Sequence, residues 1–141
     1  MISQVSWDKL FVRLFPEEDF LASVEQACRL HKVKTAVLVS AAGMLADVEL
    51  RAFIGNGKYS TSSFTEPMEL VSATGTVALQ PDGSYNFHIH ACLADHRANA
   101  FGGHLGAGKV KVTNELVFLL SDAQIIRRKE EETGLMGMFF E

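Results

Sequence analysis

MELVSATGTVALQPDGSYNFHIHACL, residues 68–93, is the stretch that decides the architecture. Met68 to Leu79 reads as a long strand, with Gly75 as the expected site of a bulge. Pro81-Asp82-Gly83 is a hairpin turn with a mechanism: proline presets φ for the first corner, and glycine accepts a positive φ at the next. Ser84 to Leu93 therefore returns antiparallel to the first strand. Strand side chains two residues apart share a face. His88 and His90 thus stand side by side, with Ile89 on the opposite face.

Further along lies Phe101-Gly102-Gly103-His104-Leu105. Glycines let a backbone approach closely, so His104 can arrive from the next strand or loop as a third ligand. Three neutral imidazoles with one position left open is a zinc arrangement. Imidazole also binds nickel, copper and iron, so zinc is the default expectation and the class is a divalent transition metal. Asp95 and His96 follow at once and are candidates for a fourth ligand or a supporting hydrogen bond. The plainer reading of His96 is an ordinary turn residue.

Outward from this hairpin the chain reads as strands, with one helix near its start. Residues 7–15 (WDKLFVRLF) mix aromatic and branched residues and predict a first strand. Pro16-Glu17-Glu18-Asp19 opens a helix in which proline and acidic residues suit the first turn. Phe20, Leu21, Val24, Ala27, Cys28 and Leu30 recur at helical spacing, and His31 closes the helix as a C-terminal cap. Thr35 to Ala41 is a strand buried on both faces; Gly43 is expected to turn it, and Leu45 to Ile54 forms another. Gly55-Asn56-Gly57 is a strong turn signal. The serine- and threonine-rich run Lys58 to Thr65 is an edge strand or a loop. Lys111 to Ser121 is a further buried strand, with Glu115 inside it as a candidate general base or supporting carboxylate. Arg127-Arg128-Lys129 and Glu130-Glu131-Glu132 cancel and predict a solvated surface. Leu135 to Phe140 adds a last short strand. About eight strands and one principal amphipathic helix predict an α+β fold with a mostly antiparallel β-sheet, residues 1–141 forming one domain.

Gly103 to Lys109 spells GxxxxGK, nearly a phosphate-binding loop. Val110 stands where the magnesium-binding Ser or Thr belongs, and a strand follows instead of a helix whose N-terminus would face phosphate. The reading is a glycine-rich turn between strands, and no nucleotide cofactor is expected. No GxSxG elbow is present.

The chain has 141 residues, 48% of them hydrophobic, which is enough for a core without disulfides. Cys28 and Cys92 form no CxxC pattern and read as reduced, buried thiols. The start, Met1-Ile2-Ser3-Gln4-Val5, has no signal-peptide pattern, and no apolar run is long enough for a bilayer. A cytoplasmic protein is expected. The net charge of -4 weighs against gripping DNA through phosphates.

The pattern His88-x-His90-x-x-Leu93-Ala94-Asp95, then Gly102-Gly103-His104-Leu105, then Val112-Thr113-Asn114-Glu115, resembles the PPC (plants and prokaryotes conserved) domain. The resemblance extends to Arg13-Leu14, Glu17-Glu18-Asp19-Phe20 and Glu69-Leu70-Val71-Ser72-Ala73-Thr74-Gly75. It implies a compact α+β fold, a homotrimer and a DNA-binding label derived from plant relatives that carry AT-hooks. This chain has no Arg-Gly-Arg-Pro hook. The resemblance to bacterial and archaeal single-domain forms, which keep the histidines, implies a metal site at His88, His90 and His104. The leading expectation is a metal-binding or regulatory module with room for a small molecule at the metal. The alternative is a zinc-dependent hydrolase or hydratase in which Asp95 or Glu115 orients or deprotonates a metal-bound water. A cupin-like small barrel also suits HxH after Pro-x-Gly, though the early helix fits it less well.

Overall fold

A computed structural model describes all residues, Met1–Glu141. Nine strands and one helix follow in chain order. They are β1 (Ile2–Ser6), β2 (Lys9–Leu14), α1 (Phe20–Leu30), β3 (Thr35–Gly55), β4 (Lys58–Phe64), β5 (Met68–Leu79), β6 (Tyr85–Ala94), β7 (Ala100–Ser121), β8 (Ile125–Lys129) and β9 (Met136–Phe140). All pairings between named strands are antiparallel. The main sheet runs β1-β2-β7-β6-β5-β3-β4, and β7 also pairs β3. β3, β7, β6 and β5 therefore pair in a closed circuit, with β2, β1 and β4 as flanks. β8 and β9 form a separate hairpin.

Two very long strands make this closure possible. Thr35–Gly55 is one continuous strand; the turn expected at Gly43 is absent. The register between β3 and β7 shifts at four places, from Leu38/Ser40 to Glu49/Leu50. Each shift adds local twist. β3 thereby pairs with β5 and β7 along its first half, then with β4 and β7 along its second. Gly43 serves a different need from a turn. A Cβ there would lie 2.0 Å from the Thr113 carbonyl oxygen, so only glycine admits this approach. Gly75 likewise is not the bulge, which falls between Leu70 and Ser72. A Cβ at Gly75 would lie 1.9 Å from the His88 carbonyl oxygen.

The N-terminal reading also changes. The first strand is Ile2–Ser6, and the expected strand over 7–15 shortens to Lys9–Leu14 because Trp7 and Asp8 make the turn. The helix begins at Phe20, with Asp19 as N-cap accepting from the Ala22 amide. Its first turn carries no acidic residue. Glu17 lies outside it in a positive-φ conformation, paired with Lys109 at 3.0 Å. His31 caps the C-terminus as expected, and its Nε2 lies 2.9 Å from the Ser3 hydroxyl.

Phe20, Ser23, Val24, Ala27 and Cys28 are the buried face of α1, which packs on β2 and β7. Full burial of an apolar side chain such as Phe20 or Val24 contributes about 1.5–3 kcal/mol. The same core takes Leu38, Leu45, Val48, Val77, Ile89, Leu93, Leu116 and Phe118 from the strands. Burial pushes the Cys28 thiol up to about 12, so it stays protonated and inert. Cys92 is half-buried, and both cysteines are free. No helix is long and apolar enough to cross a membrane.

Candidate metal centre

Strand alternation on β6 puts Ile89, Ala91 and Leu93 in the core, and His88 and His90 on the outer face. His104 comes from β7, directly opposite His90. The surrounding registers extend this pairing into a row across five strands: Thr61 on β4, Arg51 on β3, His104 on β7, His90 on β6 and Thr74 on β5. Directly opposed residues share a face. His88 stands in the next row, opposite Thr76. The three imidazoles consequently face one another, with ring centroids 5.3, 5.5 and 5.7 Å apart.

One nitrogen from each ring lies within 4.8 Å of the others. Nitrogens sharing one tetrahedral zinc lie about 3.4 Å apart, given a Zn–N bond of ~2.0–2.1 Å. Small ring rotations close that difference, so the donor set fits such an ion. The electrostatics favour the neutral, ligating form. Burial holds His88 below the ordinary histidine range, and the nearby Arg127 and His90 add to the effect. His104 is lowered by burial, by the other two histidines and by Arg51.

The two carboxylates expected to assist do not join this cluster. Asp95 sits in the β6–β7 turn, where its carboxylate accepts from the Arg97 and Asn99 amides and from the Asn99 side chain. Those bonds hold its carboxyl below the usual range, and its role is to fix the turn. His96 is exposed in the same turn. Glu115 lies far along β7, opposite Arg13 and Ala42, in a separate groove with Ile2, Phe11 and Val117. The glycine-rich turn expected between strands is also absent: Gly103 to Lys109 lies inside β7. Lys109 is engaged by Glu17, and the backbone of Val110 bonds Glu17 and Glu18 at the entry to α1.

Several residues around the histidines were not expected. A cleft of about 320 Å³ is lined by Arg51, Tyr59, Asn86, His88, His104 and Arg127, among others. A second cleft on the other side of His88 adds Thr74, Thr76, His90, Glu130 and Met138. Arg127 borders both. It belongs to the charged run read as solvated surface, yet burial lowers its pKa, Thr76 accepts from its Nη2 at 2.7 Å, and its Nε is enclosed without a partner. The signal for Arg127 in sequence was its neighbour: Ile125-Ile126 are buried and anchor the hairpin. Nothing in residue spacing pointed to Arg51, because its place opposite His104 depends on the bulges of β3.

A closed antiparallel sheet with one packed helix and three converging imidazoles defines a small β-rich module with a candidate metal centre. The chain belongs to the Plants and Prokaryotes Conserved (PCC) domain family, whose profile matches residues 1–122. Solved structures agree on the fold. A Pyrococcus horikoshii plant- and prokaryote-conserved (PPC) protein superposes with a TM-score of 0.81 at 24% identity, covering 98% of this chain and 96% of its own. A metal-containing protein from Archaeoglobus fulgidus gives 0.84 at 23% identity, covering 99% of each chain. A Bacteroides thetaiotaomicron protein described as a candidate DNA-binding protein gives 0.90 at 19%, covering 99% and 96%. Among curated proteins, the bifunctional protein GlmU of a Synechococcus strain is 30% identical over 129 residues, 90% of this chain but 19% of that protein. The chain thus spans about a fifth of the length of the curated relatives it matches.

Proposed function

We propose that this chain is a metal-binding module in which His88, His90 and His104 hold a divalent transition metal, zinc by default, with an open position facing the adjoining clefts. The observation that carries this reading is the convergence of three imidazole nitrogens within 4.8 Å on one outer face. The lowered His88 and His104 keep their lone pairs available at neutral pH. The metal-containing Archaeoglobus relative of the same fold is consistent with it. Two free cysteines fit a reducing, cytoplasmic setting.

We further propose that the module works as a homotrimer. Ile2, Phe11, Val39 and Leu119 are large apolar residues left exposed on the strands, surface that association would remove from water. Sedimentation tests this: a single trimeric species supports it, and a monomer at micromolar concentration contradicts it.

A second reading is hydrolytic. Zinc held by three imidazoles supplies Lewis acidity that brings the pKa of a water toward ~7. This chain's residues must then position a proton acceptor. Asp95 and Glu115 are elsewhere, and the one carboxylate nearby, Glu130, borders only the second cleft, beside His88 and His90. Its carboxylate accepts from the Thr133 hydroxyl, which ties it into the hairpin turn and favours the binding role over turnover. A DNA role rests on the description of the Bacteroides relative and meets a net charge of -4. It predicts affinity that falls steeply with salt; no mobility shift even at low salt contradicts it.

Elemental analysis after purification without added metal tests the main reading. Metal retained by the parent chain and lost in His104→Ala supports it. Absence of metal, together with a thermal midpoint that chelator leaves unchanged, overturns it.

A further inference from the structure

We propose that the cleft between Arg51 and Arg127 is a binding site for a small oxyanion, a carboxylate or a phosphoryl group, held by the two guanidinium groups beside the imidazoles. The proposal rests on the three-histidine reading only for the metal's share of the ligand; the arginines argue for it independently.

The lining is one-sided in charge. Arg51, Arg127, His88 and His104 line this cleft with Tyr59 and Asn86 as polar neighbours, and no carboxylate borders it. Its volume of about 320 Å³ is at the small end of ligand pockets, which run about 300–1,000 Å³. A compact anion suits it, and a duplex does not.

Both arginines are placed rather than free. Arg51 stands opposite His104 in the five-strand row. Its guanidinium lies over Gly106, two residues beyond His104 on the same face; a Cβ at Gly106 would come within 2.6 Å of the Arg51 Nε. The missing side chain makes the berth for the guanidinium. Its one ionic partner, Glu49 at 3.1 Å, is an exposed pair. Such pairs are worth about 0–1 kcal/mol, so an arriving anion competes for Arg51 at small cost.

Arg127 is held from the other side of the cleft. Its backbone amide donates to the Gln80 side chain at 3.0 Å, and its Nη2 donates to Thr76 at 2.7 Å. A guanidinium has five N–H donors, and Nε here is enclosed with no acceptor. A half-buried cation with donors to spare and no carboxylate partner is the arrangement that planar oxyanions satisfy, by charge-assisted and often bidentate bonds.

The test is calorimetry on the zinc-loaded full chain in chloride buffer, titrated separately with inorganic phosphate and with succinate. Zinc content is measured on the same samples. Saturable binding of either probe is expected, and which one binds names the oxyanion. Arg127→Gln and Arg51→Gln should each weaken it about tenfold or more with zinc content unchanged. Arg51 is exposed, so its variant remains informative if Arg127→Gln fails to fold. The inference is overturned if neither probe binds, or if binding survives with unchanged affinity in the folded arginine variants. A chain without zinc that still binds a probe through both arginines overturns the metal reading and leaves this one standing.

Discussion

At the residue scale, His88 and His104 decide how the site responds to pH. Both are held below the ordinary histidine range, chiefly by burial. For a histidine lowered in the folded state, the unfolded chain binds more protons as pH falls. Stability contributed by the neutral rings is thus full above the unfolded value of about 6.5 and declines below it, down through the shifted folded values. Metal occupancy adds to the same trend, because protonated imidazole does not ligate. Zinc affinity should therefore be flat at pH 7 to 8 and fall as pH drops below about 6.5 through the lowered values of His88 and His104, as a competition assay with a chromophoric chelator would read. An affinity constant to pH 5 would contradict the three-imidazole assignment. Gly75 sits on the neighbouring strand against the His88 carbonyl. Gly75→Ala should cost about 1–3 kcal/mol in urea unfolding and weaken zinc binding, since the added methyl displaces the strand that carries two ligands. A neutral effect on both would show that β5 and β6 are not fixed against each other.

At the element scale, most of the candidate metal centre was readable because it depends on the period of one strand. HxH on β6 places two imidazoles on one face by geometry alone, and the Pro81-Asp82-Gly83 turn fixes that strand as antiparallel; Gly83 takes φ +83° as its role requires. The first half of β7 was harder. Gly102, Gly103, Gly106 and Gly108 argue for a loop by propensity, yet three of them sit where a neighbour comes close. A Cβ would meet the Arg51 carbonyl at 3.0 Å from Gly103, the Arg51 side chain at 2.6 Å from Gly106, and Leu45 at 3.2 Å from Gly108. Close approach across a sheet leaves no mark in local sequence beyond the glycine itself. For the same reason Asp95 and Glu115 looked equivalent to the histidines as candidates, since only register shows that neither stands beside them. The N-cap was half legible: Asp19 lay in the acidic run, but as a cap rather than as first-turn charge. Asp19→Ala should lower stability by about 1 kcal/mol and leave zinc binding intact, because α1 packs on the side of β7 away from the histidines. The β8–β9 hairpin hangs on Gln80, which accepts from the Arg127 amide and donates to Ile125. Gln80→Ala should speed amide exchange in residues 125–129 with little change in zinc content; unchanged exchange would mean that buried Ile125 and Ile126 alone hold the hairpin.

At the scale of the whole molecule, the closed circuit of β3, β7, β6 and β5 keeps the core inside and presents the imidazoles on a rigid outer wall. The two strands that carry the histidines pair with each other, so the spacing of the imidazoles is set by backbone hydrogen bonds and not by loop conformation. That rigidity suits a site that holds an ion and receives a small ligand, with β8–β9 as a partial cover supplied by the same chain. The central claim is the ion itself. Elemental analysis of the purified chain after reconstitution with zinc and removal of excess tests it most directly. The account predicts one zinc ion per chain, and less than a tenth of that occupancy (about tenfold weaker retention) in His104→Ala. No stoichiometric metal in the parent chain, or full occupancy in His104→Ala, would contradict it.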